Sequence, residues 1–376
     1  MRVAMVAAGF TGGQAEELRR AMGAKRSLER MKKLERQLRE GMAARGITGK
    51  AADDIVQGIT SFALYGFPES HAASFALIAY ASAYLKAHHP AAFYCALLSA
   101  WPMGFYHPAT IVQDARRHGV RVLPVDVNCS QWLCTLERDD QGKLAVRLGF
   151  KFVKGLRREV AENLVREAQK QPFASVEDLL RRGGLNRREL EVLASIGACA
   201  SLGETRRAAL WQVSAFDGRS CPLQQAMGWG KSPSPLPDMD LRERYVADFE
   251  GTGLTVGRHP LHMFRSALQK RGVLSACEVA RCRHGQRVKV GGVVIVRQRP
   301  STAKGMCFAT LEDESGFVNV VFAPDLFTKE RATITTSALL EVDGVVQSRD
   351  GVLTVRALAA RPLVLPTPAC DSRDFH

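Results

Sequence analysis

Three clusters of cations are the residues with the most evident chemistry. Arg19, Arg20, Lys25 and Arg26 fall within eight positions around Gly23, compact enough to bind a polyphosphate or to form a solvated patch. Arg147, Lys151, Lys154, Arg157 and Arg158 follow one another with no acid between them. They accompany the first of two glycine-bearing turns, GFKFVKGL (149–156) and GGL (183–185), each leading into a helical segment. Glycine lets backbone N–H groups approach a phosphate, and the helix that follows adds its positive N-terminus. This pattern suits salt-dependent, sequence-independent contact with a duplex backbone, although a plain helical hairpin carries the same signature. Arg297, Arg299 and Lys304 stand near Phe308 and Phe317, rings that either stack unpaired bases or belong to a core. His71 reads from its surroundings alone as an ordinary histidine near a helix N-terminus.

The carboxylates are less suggestive. Asp53 and Asp54 lie in a helical context, Asp139 and Asp140 in a turn. Asp238 and Asp240 imitate an Asp-x-Asp metal motif within the Pro/Ser-rich stretch GWGKSPSPLPDMD (228–240), where nothing is expected to fix their geometry. The nine cysteines are dispersed, form no Cys-x-x-Cys and have no zinc spacing, so free thiols in a reducing compartment are expected and no metal is assigned.

Positioning these residues falls first to helices. Leu28, Met31, Leu34, Leu38 and Met42 recur at three- and four-residue spacing in a helical region over 13–46. The opening MRVAMVAAGF is a buried first helix or, less simply, a short signal segment. Residues 51–98 are helical and apolar, broken around Gly66 and Pro68, with Ser70 as N-cap of the next helix. A short strand over 120–128 enters a turn, two hairpin units occupy 147–200, and beyond residue 286 the texture becomes β. Turns at 313–316 and 348–351, a helix at 324–331 and five strands predict a small barrel of the oligonucleotide-binding (OB) type. The fold class is thus multidomain α+β, mostly helical and closing on this barrel.

Lys and Arg total 52 against 38 Asp and Glu, a net charge of +14, in a chain of 376 residues with ordinary globular proportions. The first 50 residues hold 12 basic and 5 acidic residues, a net +7. An excess of this kind speaks of nucleic acid or another anionic surface. No apolar run approaches the roughly 20 residues of a membrane span, so no membrane partner is expected.

Taken in chain order, RRAMG (19–23), GFPESHAASFA (66–76), YLKAHHPAAF (84–93), LPVDVN (123–128), FVKGL (152–156) and SRDFH (372–376) give the chain a resemblance across essentially its whole length. It resembles the bacterial C-family replicative polymerases (DNA polymerase III alpha subunit), within them the error-prone, damage-inducible branch. The resemblance implies fingers over 1–120, tandem helix-hairpin-helix motifs gripping duplex over 121–220, a Pro/Ser-rich linker with a small helical segment over 221–285, an OB-fold over 286–365 and a tail over 366–376. It assigns Arg19, Arg20, Lys25 and Arg26 to the triphosphate of an incoming nucleotide and His71 to a place beside its sugar. Arg147, Lys151, Lys154, Arg157 and Arg158 then face duplex DNA, and Arg297, Arg299 and Lys304 the single-stranded template. The accurate branch usually has Asn-Lys where Pro68 and Glu69 stand, which weakens transfer of any role of that lysine.

In this family, phosphoryl transfer uses two Mg2+ ions held by carboxylates of a palm domain. No strand of this sequence presents paired aspartates, so the expectation is a C-terminal fragment starting in the fingers, from a truncated, split or frameshifted reading frame. Such a fragment has no catalytic residues and holds no Mg2+; it binds DNA and deoxynucleoside triphosphate but is inactive alone. Expected partners are primer–template DNA, the N-terminal polymerase part, accessory mutagenesis proteins and a sliding clamp, although no clamp peptide of the usual Gln-x-x-Leu-Phe kind is present; the expected location is the cytoplasm. The alternative is a free-standing, non-catalytic DNA-binding module with helix-hairpin-helix and OB domains.

Overall fold

The computed structural model describes residues 2–23, 28–65, 69–103, 106–214, 234–349, 351–365 and 373–375. Contacts divide the chain into Met1–Tyr84 and Leu85–His376. The first unit begins with α1 (Arg2–Ala8), α2 (Gly12–Gly23), α3 (Leu28–Ala43) and α4 (Lys50–Tyr65). Ala4 and Ala8 lie one helical turn apart and share a core with Leu18, Leu34, Leu38, Met42 and Val56. Four-residue spacing along α3 therefore forms the predicted apolar stripe. The opposite face is polar, with Arg39 reaching Asp53 on α4 at 2.6 Å.

α5 (Glu69–His88) starts at Glu69, so Ser70 lies in its first turn instead of capping it. Residues 66–68 are outside the described set.

The second unit opens with α6 (Pro90–Ser99) and α7 (Pro108–Arg117), followed by β1 (Val122–Leu123), β2 (Thr135–Arg138) and β3 (Leu144–Arg147). β3 pairs parallel with β1 and antiparallel with β2. α8 (Arg158–Lys170), α9 (Val176–Gly183), α10 (Arg187–Ser195) and α11 (Arg206–Ser214) complete the helical body. In this unit Tyr94 and Leu98 of α6 and Val112 of α7 share one core with Phe150, Leu164, Leu179 and Leu190.

The region expected to hold a linker and a small helical segment has helices in its described part, 234–285. α12 (Leu241–Thr252) is started by a reciprocal capping box between Asp240 and Glu243, and α13 (Pro260–Lys270) has Pro260 in its first turn. Leu261 and Leu268 of α13 pack with Val273, Val293 and Leu363. β4 (Val273–Leu274) and α14 (Ala276–Val279) lead into the barrel.

Five strands close that barrel: β5 (Arg287–Gln298), β6 (Cys307–Glu312), β7 (Phe317–Phe322), β8 (Leu339–Arg349) and β9 (Val352–Pro362). β5 pairs with β8 up to Val293 and with β6 from Val293 onward, so one long bent strand serves both neighbours. At the bend, a Cβ on Gly292 would stand 2.7 Å from the Glu312 carbonyl oxygen, leaving room only for glycine. The parallel β7–β9 pair completes the closure. The helix expected at 324–331 is two pieces, α15 (Pro324–Lys329) and α16 (Arg331–Thr336), meeting at Glu330. Within the segment expected as a tail, β10 (Arg373–Phe375) pairs parallel with Val296–Gln298 of β5.

Candidate nucleic-acid interface

The hairpin before α10 is a full helix–hairpin–helix. α9 ends on Gly184, at φ +68°, and Asn186 caps α10 by accepting from the Glu189 N–H at 2.9 Å. The hairpin before α8 departs from the expected form, since strand β3 and a single 3-10 turn, Phe150–Phe152, stand in place of its first helix. Gly155, at φ +79°, turns the chain there and Arg157 occupies the N-cap of α8. Asn163 of α8 donates Nδ2 to the carbonyls of Arg182 and Gly183 at 3.1 and 3.0 Å, tying α8 to the second hairpin.

Both helix N-termini meet at Glu189. Its carboxylate, almost fully buried, accepts from the backbone N–H of Arg157 at 3.2 Å and of Asn186 at 2.9 Å. The Arg157 guanidinium adds bonds at 2.8 and 3.0 Å. Burial pushes the Glu189 carboxyl upward, but the guanidinium and the backbone N–H groups outweigh it and hold the group below its ordinary value.

The motif LPVDVN (123–128) explains itself in this setting. Asp126 accepts from the N–H of Asn128 at 2.9 Å and of Ser201 at 3.2 Å. Asn128 bonds both the N–H and the C=O of Phe173, at 2.7 and 3.0 Å. These two side chains staple the loop after β1 to both hairpin units.

The five cations of 147–158 are not equivalent. Arg147 is half-buried, pairs with Glu137 and donates to the Pro124 carbonyl at 2.8 Å. Lys151 donates to the Ser99 carbonyl at 2.7 Å, and Lys154 to Phe249 at 2.8 Å. Arg157 serves Glu189, while Arg158 is 67% exposed, near the Trp132 ring and paired with Glu162 one turn along. An uninterrupted basic run in sequence is therefore partly internal scaffolding. Sequence reading passed over Arg181, Arg187 and Arg188, all exposed beside the second hairpin. The RRELE run at 187–191, starting a helix directly after GGLN, was the available signal.

On the barrel, Arg297 is buried and donates to the Ser337 carbonyl, so its place is in the wall. A bulge between Val294 and Val296 shifts the alternation of β5 by one residue, so Arg297, opposite the core residue Ala309, turns inward, where a main-chain oxygen receives it. Arg299 and Lys304 are exposed, the former over the Phe327 ring with its guanidinium carbon 4.6 Å from the centroid. Phe308 and Phe317 are both surface-accessible, and Arg117 covers one face of Phe317 at 4.4 Å.

The barrel is seated on the helical body by ion pairs. Arg117 of α7 meets Glu312 of β6 at 2.9 Å, and Arg265 of α13 binds Asp313 at 3.1 Å and Glu314. Burial pushes the Glu312 carboxyl up to about 7 in spite of Arg117, and pushes buried His259 nearby down to about 3.

Arg19 and Arg20 lie on α2 with side chains outside the described residues, as do Lys25 and Arg26 altogether. His71 is exposed on α5, its ring 4.4 Å from that of Phe75. Five of the six candidate carboxylates are engaged elsewhere. Asp53 binds Arg39, Asp139 accepts from the N–H groups of Gln141 and Lys143, and Asp140 binds Arg121. Asp238 binds Arg244 and Asp240 caps α12, so this pair does have fixed geometry, set by capping. Among the described residues, no three His, Cys, Asp or Glu side chains are grouped to hold a metal ion, and no helix is long and apolar enough to cross a membrane.

A body built on paired glycine hairpins and followed by a closed five-stranded barrel is of the class that binds nucleic acid. Family models agree segment by segment: the helix-hairpin-helix motif matches 119–209, the OB-fold nucleic acid binding domain 288–363, and the bacterial DNA polymerase III alpha subunit finger domain 1–46. The whole chain matches error-prone DNA polymerases, at 43% identity to that of Anaeromyxobacter dehalogenans, 42% to that of Pseudomonas aeruginosa and 44% to that of Burkholderia mallei. It spans only 34%, 37% and 35% of those relatives. The chain belongs to the bacterial DNA polymerase III alpha family, corresponding to the C-terminal third of its error-prone members.

Proposed function

We propose that this chain is the DNA-gripping part of an error-prone DNA polymerase that acts in damage-induced mutagenesis and translesion synthesis. The observation that carries the reading is the order of matched segments, fingers, hairpins and barrel, within a match covering 100% of the chain. The hairpins hold the primer–template duplex and the barrel approaches the single-stranded template. Arg158, Arg181, Arg187 and Arg188 supply exposed cations at the hairpins. Arg299 and Lys304, with Phe308, do so on the barrel.

Arg19, Arg20, Lys25 and Arg26 bind the triphosphate of the incoming nucleotide, and His71 stands near its sugar. Phosphoryl transfer in the complete enzyme uses Mg2+; among the described residues Asp53, Asp140 and Asp238 bind guanidinium groups and Asp240 caps α12, and the ions are assigned to the remaining polymerase part. That part also suits α5, which exposes Phe75, Leu77, Ile78 and Tyr80, a surface that water alone does not favour. Accessory mutagenesis proteins and a sliding clamp recruit the complete enzyme in the cytoplasm.

The test is DNA binding and extension by the purified chain. It binds primer–template with an affinity that falls steeply as salt rises, and adds no nucleotide. Mg2+-dependent extension by a clean preparation overturns the assignment of catalysis to another part. In a complete enzyme, Arg20→Ala or Lys25→Ala weakens nucleotide binding; unchanged affinity removes these residues from the site.

A further inference from the structure

We propose that Glu189 is the positioning residue of the duplex grip, a buried anion that joins the two hairpins into one surface. The inference rests on the duplex-binding reading above and goes beyond it by assigning the geometry of the grip to one side chain.

Four hydrogen bonds converge on this carboxylate. Oε1 accepts from the Arg157 backbone N–H and Nε, and Oε2 from the Asn186 N–H and Arg157 Nη2. The N-cap positions of α8 and α10 thus share a single acceptor. Arg157, the N-cap of α8, makes no side-chain cap of its own, and its backbone N–H is taken up by Glu189 from another helix. The side chain of Glu189 is 1% exposed and that of Arg157 57%.

A carboxylate here is electrostatically adverse to DNA, because a duplex presents one negative charge per roughly 1.7 Å. Replacing it with a neutral isostere should tighten binding if charge alone matters. Loosening the tie lets each hairpin move separately and forfeits simultaneous contact by both, which weakens binding. The two effects have opposite signs. Arg157, counted by sequence as a phosphate contact, acts through Glu189.

The experiment measures primer–template affinity of the whole chain across a salt series for wild type, Glu189→Gln, Arg157→Gln and the double variant. Positioning predicts that each single variant binds about tenfold more weakly, the loss of a charge-assisted hydrogen bond, and that the double variant is no worse than either. Tighter or equal binding by Glu189→Gln overturns the proposal. So does additive loss in the double variant with a salt slope reduced by about one for Arg157→Gln alone, the mark of an independent phosphate contact. Arg157→Gln, at an exposed position, keeps the test open should Glu189→Gln fail to fold. Amide exchange in the free chain reads the tie itself. Lost protection at Arg157 and Asn186 in the folded variants supports it, and unchanged protection overturns it. Failure of the wild type to bind duplex overturns the duplex reading, a result distinct from either outcome.

Discussion

The hairpins and the seat of the barrel belong to parts that both match families of nucleic-acid-binding domain, yet they place their cations differently. Around the hairpins, Arg158, Arg181 and Arg187 have side chains 67%, 78% and 53% exposed and pair only with acids a turn away on their own helices. Such pairs are weak and leave a guanidinium available to a phosphate. At the seat of the barrel, Arg117 and Arg265 are largely buried and bound to acids from a different element. Cations of the first kind face outward to solvent, while those of the second tie the barrel to the helices beside it. The difference shows why net charge is a guide to partners only after each cation's acid has been located.

The sharpest way to break this contrast is at the seat of the barrel. Arg117→Ala leaves Glu312 buried without its guanidinium and should cost about 3 kcal/mol, read by urea unfolding. A loss under about 0.5 kcal/mol, the range of a surface substitution, would place Arg117 with the outward-facing cations. The pH dependence should agree. Glu312 binds its proton more tightly when folded, at about 7, than an ordinary carboxyl does unfolded. Below the unfolded value both states are protonated; as pH rises toward 7 the unfolded chain releases its proton first, so this group's contribution to stability falls across that window. Glu312→Gln should flatten that fall, and an unchanged profile between pH 5 and 7 would remove Glu312 as its source.

At the hairpin the expected effects are smaller. Gly184→Val forces a branched side chain into left-handed backbone, an expected cost of roughly 2 kcal/mol in thermal unfolding with a parallel loss of duplex affinity. Retained affinity would detach the hairpin from duplex contact. Phe308→Ala should weaken single-stranded DNA by about 1 kcal/mol while sparing duplex, since stacking on an exposed ring is its only assigned contribution. Equal losses for both DNA forms would blur the division of labour between body and barrel. Smallest is Arg188→Ala, expected to reduce the salt slope of duplex binding by about one and to change stability by less than 0.5 kcal/mol.

Much of the architecture was legible because it repeats with simple periods. Leu34, Leu38 and Met42 signalled the core of the first unit, and alternation along 317–322, buried at Val318, Val320 and Phe322, signalled a barrel strand. The hairpins were legible through Gly155 and Gly184, whose positive φ is a local need. The DNA interface was only partly so. Arg147 and Arg297 look identical in type to Arg158 and Arg299, and their different fates depend on Glu137 and the Ser337 carbonyl, contacts formed by folding. Glu189 was overlooked because it lies outside the basic run, and an acid inside a grip for DNA contradicts the usual charge argument.

By itself the sequence determined the family, the order of hairpin units and barrel, and the excess of positive charge. These follow from local spacing, turn residues and motifs that survive in one dimension. The tertiary structure alone decided which cations face outward, how 234–285 packs, and that two helix N-termini share one buried carboxylate. The physical reason is that ion pairing and burial depend on distance in space: Arg157 and Glu189 are 32 residues apart in the chain and 2.8 Å apart in the fold.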